Sequence, residues 1–392
     1  MILPFDFATA HRLRFGAGVF DELPRAIDAL GLERVLIVTG RRAERGQALA
    51  RALDALGVEC TLTAALGEPS VEGVREGVAL AREDACDGVI AVGGGSALDT
   101  GKAIAALVPN GEVMEHLEVV GKGRPFERPS LPFVAVPTTA GTGSEVTRNA
   151  VLSVKQSGVK ASLRGASLLP TLAVVDPELL SGAPPEVLRD CGLDALSQLI
   201  EAYLSIRANP LTDALAREGI ARSARSLRQS VLGDPERQER EDLALASVLG
   251  GMCLANAGLG AVHGFAAPMG GLYEAPHGAV CAALLVPVLE VNLQALKGRA
   301  PQSPSLARYR DLAVLLTGQT NAAPEHAIAV LRALCEDLGV RGLSSFGLSE
   351  AGIPELVRGA LRSSSMKGNP LPLSERELEA VVRGAMSTQL VG

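Results

Sequence analysis

Residues 88–107 read GVIAVGGGSALDTGKAIAAL. Gly88 to Val92 is a short apolar run rich in β-branched side chains, the pattern of a strand buried on both faces. Gly93, Gly94, Gly95 and Ser96 follow, and Ala97 to Leu107 reads as a helix. Glycines let the backbone come close to an anion, and a helix N-terminus aims free N–H groups and a partial positive charge at it. The junction therefore reads as a phosphate cradle, or without a ligand as a tight strand-to-helix turn; it is not GxGxxG. Asp99 near the helix start and Lys102 further along are placed to orient the phosphate or one another.

The same alternation extends in both directions. Upstream lie strand-like Leu13–Phe15, a helix over Phe20–Leu30, the buried-type strand RVLIVT at Arg34–Thr39, and a helix over 45–56. A strand at Glu59–Thr63 follows, then a helix over 70–83 with Ser70 as N-cap. Downstream, the strand Phe133–Val136 runs into PTTAGTGSE, a hydroxyl-rich loop at the edge where open α/β sheets bind ligands, and Leu172–Val175 is the last strand. Repeated strand–helix–strand units predict a parallel sheet covered on both faces, an α/β domain over residues 1–181.

SGAPP, from Ser181 to Pro185, reads as a linker. Beyond it the period-2 pattern disappears, and helical segments are expected at about 186–205, 210–228, 238–254, 277–293, 305–316, 323–338, 350–361 and 374–387. This is an all-α domain over residues 182–392.

Composition excludes several function classes. The 392 residues carry a net charge of −7, 3% aromatics and no Trp, so neither a basic field nor stacking platforms invite nucleic acid. The opening MILPFDFATAHRLRFG lacks a secretory pattern. Ala279 to Val288, the most apolar run, is too short to span a bilayer and contains Pro287. Six cysteines without CxxC spacing suit reduced thiols, and a cytoplasmic setting without membrane attachment is expected.

Chemistry concentrates in the helical half. AVHGFAAPMGGLYEAPHGAV, residues 261–280, holds His263 and His277, which read either as core histidines or as two imidazoles converging on a metal across a Gly/Pro bend. Asp194 and Gln198 stand at i and i+4 on one helix face. A buried carboxylate needs a partner, and a divalent ion shared with the two histidines supplies one. Asp plus two His suits Fe(II) or Zn(II), with the Gln198 amide oxygen as a further donor.

GGGSALDTGKAIA, VPTTAGTGSEVTRNAVL, DPELL, GLDALSQLIEAY and VHGFAAPMGGLYEAPHG, in this order, resemble the iron-containing alcohol dehydrogenase family over essentially the whole chain. The resemblance implies a Rossmann-like N-terminal domain and a helical C-terminal domain. In a cleft between them a ferrous ion, alternatively zinc, activates an alcohol or aldehyde for hydride exchange with NAD(P). It places the pyrophosphate on Gly94, Gly95 and Ser96 beside Asp99, and other cofactor contacts on Thr138, Thr139 and Lys160. Asp194, His263 and His277 match three of the family's four ligands and carry the catalytic role. The fourth, a His one turn after the Asp, is Gln198 here, and a further His tied to proton transfer is Ala267. The expectation is a metal kept by Asp194, Gln198, His263 and His277, with the alcohol proton handled by a water chain or the cofactor ribose.

After RVLIVT, NAD-preferring relatives carry an Asp that repels a 2′-phosphate. Here Gly40 is followed by Arg41, Arg42 and Arg45, which points to NADP(H), or to use of both NADP(H) and NAD(H). Phe265, Met269, Leu272 and Tyr273 read either as an apolar wall suited to a small or medium alcohol or aldehyde or equally as plain core. The rival readings are an oxo-acid reductase of the maleylacetate type, a lyase related to dehydroquinate synthase, and a degenerate cofactor-binding protein without turnover. A homodimer or larger homo-oligomer is expected from fold analogy.

Overall fold

Short β-branched runs become the strands of a parallel sheet because both faces of each are covered, so every residue can be apolar. The computed structural model describes residues 4–387. Within Ala8–Gly182, one of two compact units, the strands in chain order are β1 (Leu13–Phe15), β2 (Arg34–Thr39), β3 (Glu59–Ala64), β4 (Gly88–Gly93), β5 (Phe133–Pro137), β6 (Asn149–Val154), β7 (Val159–Arg164) and β8 (Leu172–Val175). Six form a parallel sheet in the order β1-β8-β5-β4-β2-β3.

The helices of this unit are α1 (Leu23–Asp28), α2 (Glu44–Asp54), α3 (Val71–Glu83), α4 (Gly95–Asn110) and the single turn α5 (Val113–His116). Alternate strand residues serve opposite faces. Val35 and Ile37 of β2 pack with Leu23 and Ile27 of α1 and Leu49 and Leu53 of α2. Leu36 and Val38 pack with Val74 and Val78 of α3 and Ile104 of α4. The antiparallel hairpin β6–β7 was not expected from sequence. Its two short strands bury only alternate residues, Ala150, Leu152 and Val154 on β6.

The order reverses between β2 and β4, so their carboxyl ends form a topological switch point, where open sheets take ligands. Register aligns Thr39 with Val92 and Gly93 with Pro137. Gly40, Gly94 and Thr138 therefore follow three adjacent strands at one edge.

The second unit runs from Ala183 onward and includes the N-terminal segment ending at Phe7. It comprises α6 (Pro185–Leu204), α7 (Pro210–Leu232), α8 (Arg237–Ala257), α9 (Ala261–Leu272), α10 (His277–Arg299), α11 (Ser305–Thr317), α12 (Pro324–Asp337), α13 (Ile353–Arg362) and α14 (Glu375–Met386). Two expectations are corrected here. The stretch before His277 is not an open bend, because Ala261–Leu272 is helical with Pro268 inside it. The apolar run Ala279–Val288, expected to be too short to span a bilayer, lies within α10, which carries Pro287 inside it and at 23 residues is long and apolar enough to cross a membrane. Of its most apolar window 78% is buried inside the protein, against α6, α9, α12 and α14, which accounts for that composition.

Candidate metal centre and nucleotide loop

Asp194 sits mid-way along α6 in a segment buried from Gly192 to Leu204. An ionised carboxylate taken out of water costs several kcal/mol unless it is paired. Here its Oδ1 lies 3.2 Å from His263 Nε2 and 3.6 Å from His277 Nε2. α10 reaches α6 this closely because residue 278 is glycine; a Cβ there would stand 2.5 Å from the Asp190 carbonyl oxygen. His263 comes from the first turn of α9, His277 from the first residue of α10, and their rings stand 5.5 Å apart.

The group has a fourth donor that sequence reasoning missed. Cys281, one turn after His277 on α10, places Sγ 3.7 Å from both His263 Nε2 and His277 Nε2. One oxygen, two nitrogens and one sulfur lie within 4.8 Å of one another, a donor set that fits a divalent transition metal. Gln198, expected as the fourth ligand, is buried with Oε1 beside α8, 3.5 Å from where a Cβ on Gly250 would stand. The sequence did carry a signal for Cys281: His277 and Cys281 are at i and i+4, on one face once a helix starts at His277.

Glu201, seven residues after Asp194 on α6, was also missed. Its carboxylate accepts His263 Nδ1–H at 2.7 Å and the Val262 N–H at 2.6 Å. A carboxylate only accepts, so Nδ1 carries the proton and Nε2 is turned to the donor group.

Burial works to raise the Asp194 pKa, but the charges of His277 and His263 more than offset it and hold the carboxyl below its ordinary value. Burial disfavours charge on both histidines, yet Cys281 and Asp194 outweigh it, leaving His263 well above its ordinary value and His277 at about 9. The group thus demands positive charge from protons or from a cation. His277 is its accessible member, with a side chain 34% exposed against 6% for His263 and 2% for Asp194.

In the α/β unit, α4 begins at Gly95 with Gly94 as N-cap and no side chain capping it, so its first N–H groups are directed at the sheet edge. A Cβ on Gly94 would stand 3.2 Å from Thr139 Oγ1, and one on Gly95 would stand 2.9 Å from Thr142 Oγ1. The two loops abut, and only glycine leaves room between them. Ser96 lies in the first turn of α4, half-buried like Thr138 and Thr139, and the Thr138 N–H bonds the Gly93 carbonyl at 2.9 Å. The uncapped N–H groups at the start of α4 suit an anion such as a pyrophosphate.

Asp99 and Lys102 take the second of their two expected roles, orienting one another through Ser144, and the expectation for the arginines is corrected. Asp99 does not reach toward a phosphate. Its Oδ1 accepts the Ser144 hydroxyl at 2.5 Å and its Oδ2 the Val151 N–H at 2.9 Å, which pins the threonine loop and β6. Lys102 is fully buried, and its Nζ donates within the same loop to the Ser144 and Thr147 carbonyls and hydroxyls and to the Asn149 carbonyl, at 2.7–3.2 Å. Arg42 and Arg45 do not gather at the position after β2; they donate to the Gly182 and Leu179 carbonyls.

Gly40 and exposed Arg41 stay at the switch point, and Lys160 of β7 pairs with Glu68 at 3.1 Å. Phe265 and Met269, read as apolar wall or plain core, are core residues with no exposure, while Leu272 is 43% exposed.

A parallel-sheet unit with a glycine loop at its switch point, followed in one chain by a helical unit holding buried metal-type donors, places the protein among the dehydrogenases, oxidoreductases acting on CH–OH groups. The chain belongs to the iron-containing alcohol dehydrogenase family. The model of the iron-containing alcohol dehydrogenase matches residues 10–177, and that of the family's C-terminal part matches residues 189–386. The chain is 36% identical to the 1,3-propanediol dehydrogenase of Klebsiella pneumoniae, with 97% of this chain and 98% of the relative aligned. A crystal structure of a 1,3-propanediol oxidoreductase superposes with a TM-score of 0.90 at 34% identity, covering 98% of this chain and 100% of the other. The sulfoacetaldehyde reductase of Bifidobacterium kashiwanohense, solved in complex with NAD+, gives a TM-score of 0.84 at 28% identity over 99% and 100% of the two chains.

Proposed function

We propose that this chain is a metal-dependent NAD(P)(H) oxidoreductase interconverting a small or medium alcohol and its aldehyde. The observation that carries this reading is the buried convergence of Asp194, His263 and His277. The family description, which names iron, and the NAD+ of the sulfoacetaldehyde reductase support it.

When bound, the divalent ion supplies Lewis acidity toward the carbonyl oxygen and the nicotinamide supplies the hydride. Asp194 would hold the ion through its carboxylate, and His263 would present Nε2 in the tautomer that Glu201 sets. His277 closes the group on its exposed side. Gly94, Gly95 and Ser96 would hold the pyrophosphate through N–H groups at the start of α4, while Asp99 and Lys102 keep the threonine loop in place around it. Ala267, one turn after His263 on α9, offers no titratable group, so no side chain at that position would take the alcohol proton.

Gly40 and Arg41 favour NADP(H), with NAD(H) also accepted, since no carboxylate stands after β2 to repel a 2′-phosphate. Six free cysteines suit a reducing, cytoplasmic setting.

The test is oxidation of NADPH and NADH with a panel of aldehydes and oxo acids, before and after chelation and after metal return. Aldehyde reduction lost on chelation and restored by Fe(II) or Zn(II) is expected. Full activity of metal-free protein would overturn the metal-dependent reading, and turnover of oxo acids alone would favour the oxo-acid reductase.

A further inference from the structure

We propose, resting on the metal-dependent reading above, that Cys281 supplies the fourth protein ligand as a thiolate. The site is then Asp194, His263, His277 and Cys281, and its preference moves from ferrous ion toward zinc.

Geometry carries the proposal. With metal–nitrogen and metal–oxygen bonds of about 2.0–2.1 Å and a metal–sulfur bond of about 2.3 Å, a tetrahedral ion separates N and O donors by about 3.3 Å and N and S donors by about 3.6 Å. Here the oxygen–nitrogen edges are 3.2 and 3.6 Å and both sulfur–nitrogen edges are 3.7 Å. Four of the six donor–donor edges therefore have metal-site dimensions, and the remaining two are no longer than 4.8 Å.

A buried cysteine usually acts as a small hydrophobe. Cys281 packs in the core with Phe265 and Val280, and in addition its sulfur faces two imidazole nitrogens and lies in one group with a carboxylate oxygen. Its backbone position is fixed by the helix that carries His277, so the pair forms a rigid i, i+4 clamp on one face of α10. On binding, the sulfur–hydrogen bond is exchanged for a sulfur–metal bond and one proton leaves to solvent; nothing is oxidised or reduced.

A thiolate is softer than the imidazole the family has one turn after its Asp, and softer donors select zinc over the hard-to-borderline ferrous ion. Four protein donors would fill a tetrahedral shell, so Lewis acidity toward a substrate oxygen would call on the five-coordinate expansion that catalytic zinc allows.

Cobalt(II) titration of the metal-free full-length chain tests the assignment by spectrum rather than by activity. Native protein is expected to take up one cobalt with an intense near-ultraviolet sulfur-to-cobalt charge-transfer band. In Cys281→Ser and Cys281→Ala that band is lost while the visible cobalt bands persist, with affinity lowered about tenfold or more. Gln198→Ala keeps the band. X-ray absorption on the zinc-loaded native chain needs no variant and is expected to show one sulfur at about 2.3 Å.

Stoichiometric cobalt without the charge-transfer band, a band that survives Cys281→Ser, or a zinc shell without sulfur overturns the Cys281 assignment and leaves the metal-dependent reading standing. A native chain that binds no cobalt overturns both.

Discussion

Glu201 holds His263 by two routes. Oε2 accepts the ring Nδ1–H at 2.7 Å, and Oε1 accepts the Val262 N–H at 2.6 Å, so one carboxylate sets both the tautomer and the start of α9. Glu201→Gln keeps the shape but replaces an anionic acceptor with a neutral amide that can also donate. Divalent-metal affinity is expected to fall about 10–100-fold, the usual cost of losing a carboxylate behind a ligating histidine. Competition with a chelator of known affinity measures this, and unchanged affinity would show that another group sets the tautomer.

Lys102 is expected to be a stability residue rather than a phosphate ligand. The carbonyls of Ser144, Thr147 and Asn149 and the hydroxyls of Ser144 and Thr147 share its three N–H groups and would lose that buried charge in Lys102→Met. Burial brings its pKa down to about 8, partly offset by Asp99 and Glu145, so the ammonium persists at neutral pH. Removing one partner of a buried charged network costs about 3–5 kcal/mol. Calorimetry should show the α/β unit melting at lower temperature, while metal binding by the helical unit is retained. A nucleotide affinity lowered without any loss of stability would return Lys102 to the phosphate.

Glu145 gives the same loop a pH dependence. Burial raises its pKa from the ordinary 4.5 to about 7, with the Lys102 charge pulling the other way. A carboxyl whose folded pKa exceeds its unfolded one binds more protons in the fold. Its contribution to stability is therefore fully present below about 4.5, is lost as pH rises through about 7, and stays absent above that. The full change corresponds to roughly 3 kcal/mol. In Glu145→Gln this component is absent, so the melting temperature of the variant relative to native should climb between pH 5 and pH 7.5. A constant difference across that range would contradict the raised pKa.

The parallel sheet was legible because strands such as RVLIVT and GVIAV are short, β-branched and bounded by glycine, and buried strands leave that trace wherever they occur. The hairpin β6–β7 leaves a weaker one, since its strands are of the same length but only half-covered, so buried and partly exposed residues alternate and no apolar run forms. α9 escaped because AVHGFAAPMGGL is apolar on nearly every face, which removes the period on which a helix assignment depends. Asp194, His263 and His277 stood out as polar residues in apolar surroundings. Cys281 did not, because a thiol within AVCAALL looks like one more small core residue until the helix bearing His277 is known. The commitment of Arg42 and Arg45 to carbonyls some 140 residues away, and of Asp99 to Ser144 and Val151, rests on tertiary contacts that spacing does not reveal.

Gly40 should decide the cofactor. It follows β2 directly, beside the carboxyl end of β4, and a Cβ at this position meets no atom within 4 Å, so a side chain enters without displacing anything. Gly40→Asp would place a carboxylate where the adenosine ribose is expected, accepting from the 2′- and 3′-hydroxyls of NAD(H) and repelling a 2′-phosphate. With Arg41 then facing a neighbouring anion rather than a phosphate, kcat/KM for NADPH should drop about tenfold or more, equivalent to about 1.4 kcal/mol of lost transition-state binding, while that for NADH holds or rises. Arg41→Ala should lower NADPH use alone and by less, because a single exposed guanidinium is screened by solvent and salt. Steady-state rates with both cofactors at one fixed aldehyde concentration measure the ratio. If neither substitution moves it, the 2′-phosphate is read from another part of the loop cluster, and Gly40 is only the end of a strand.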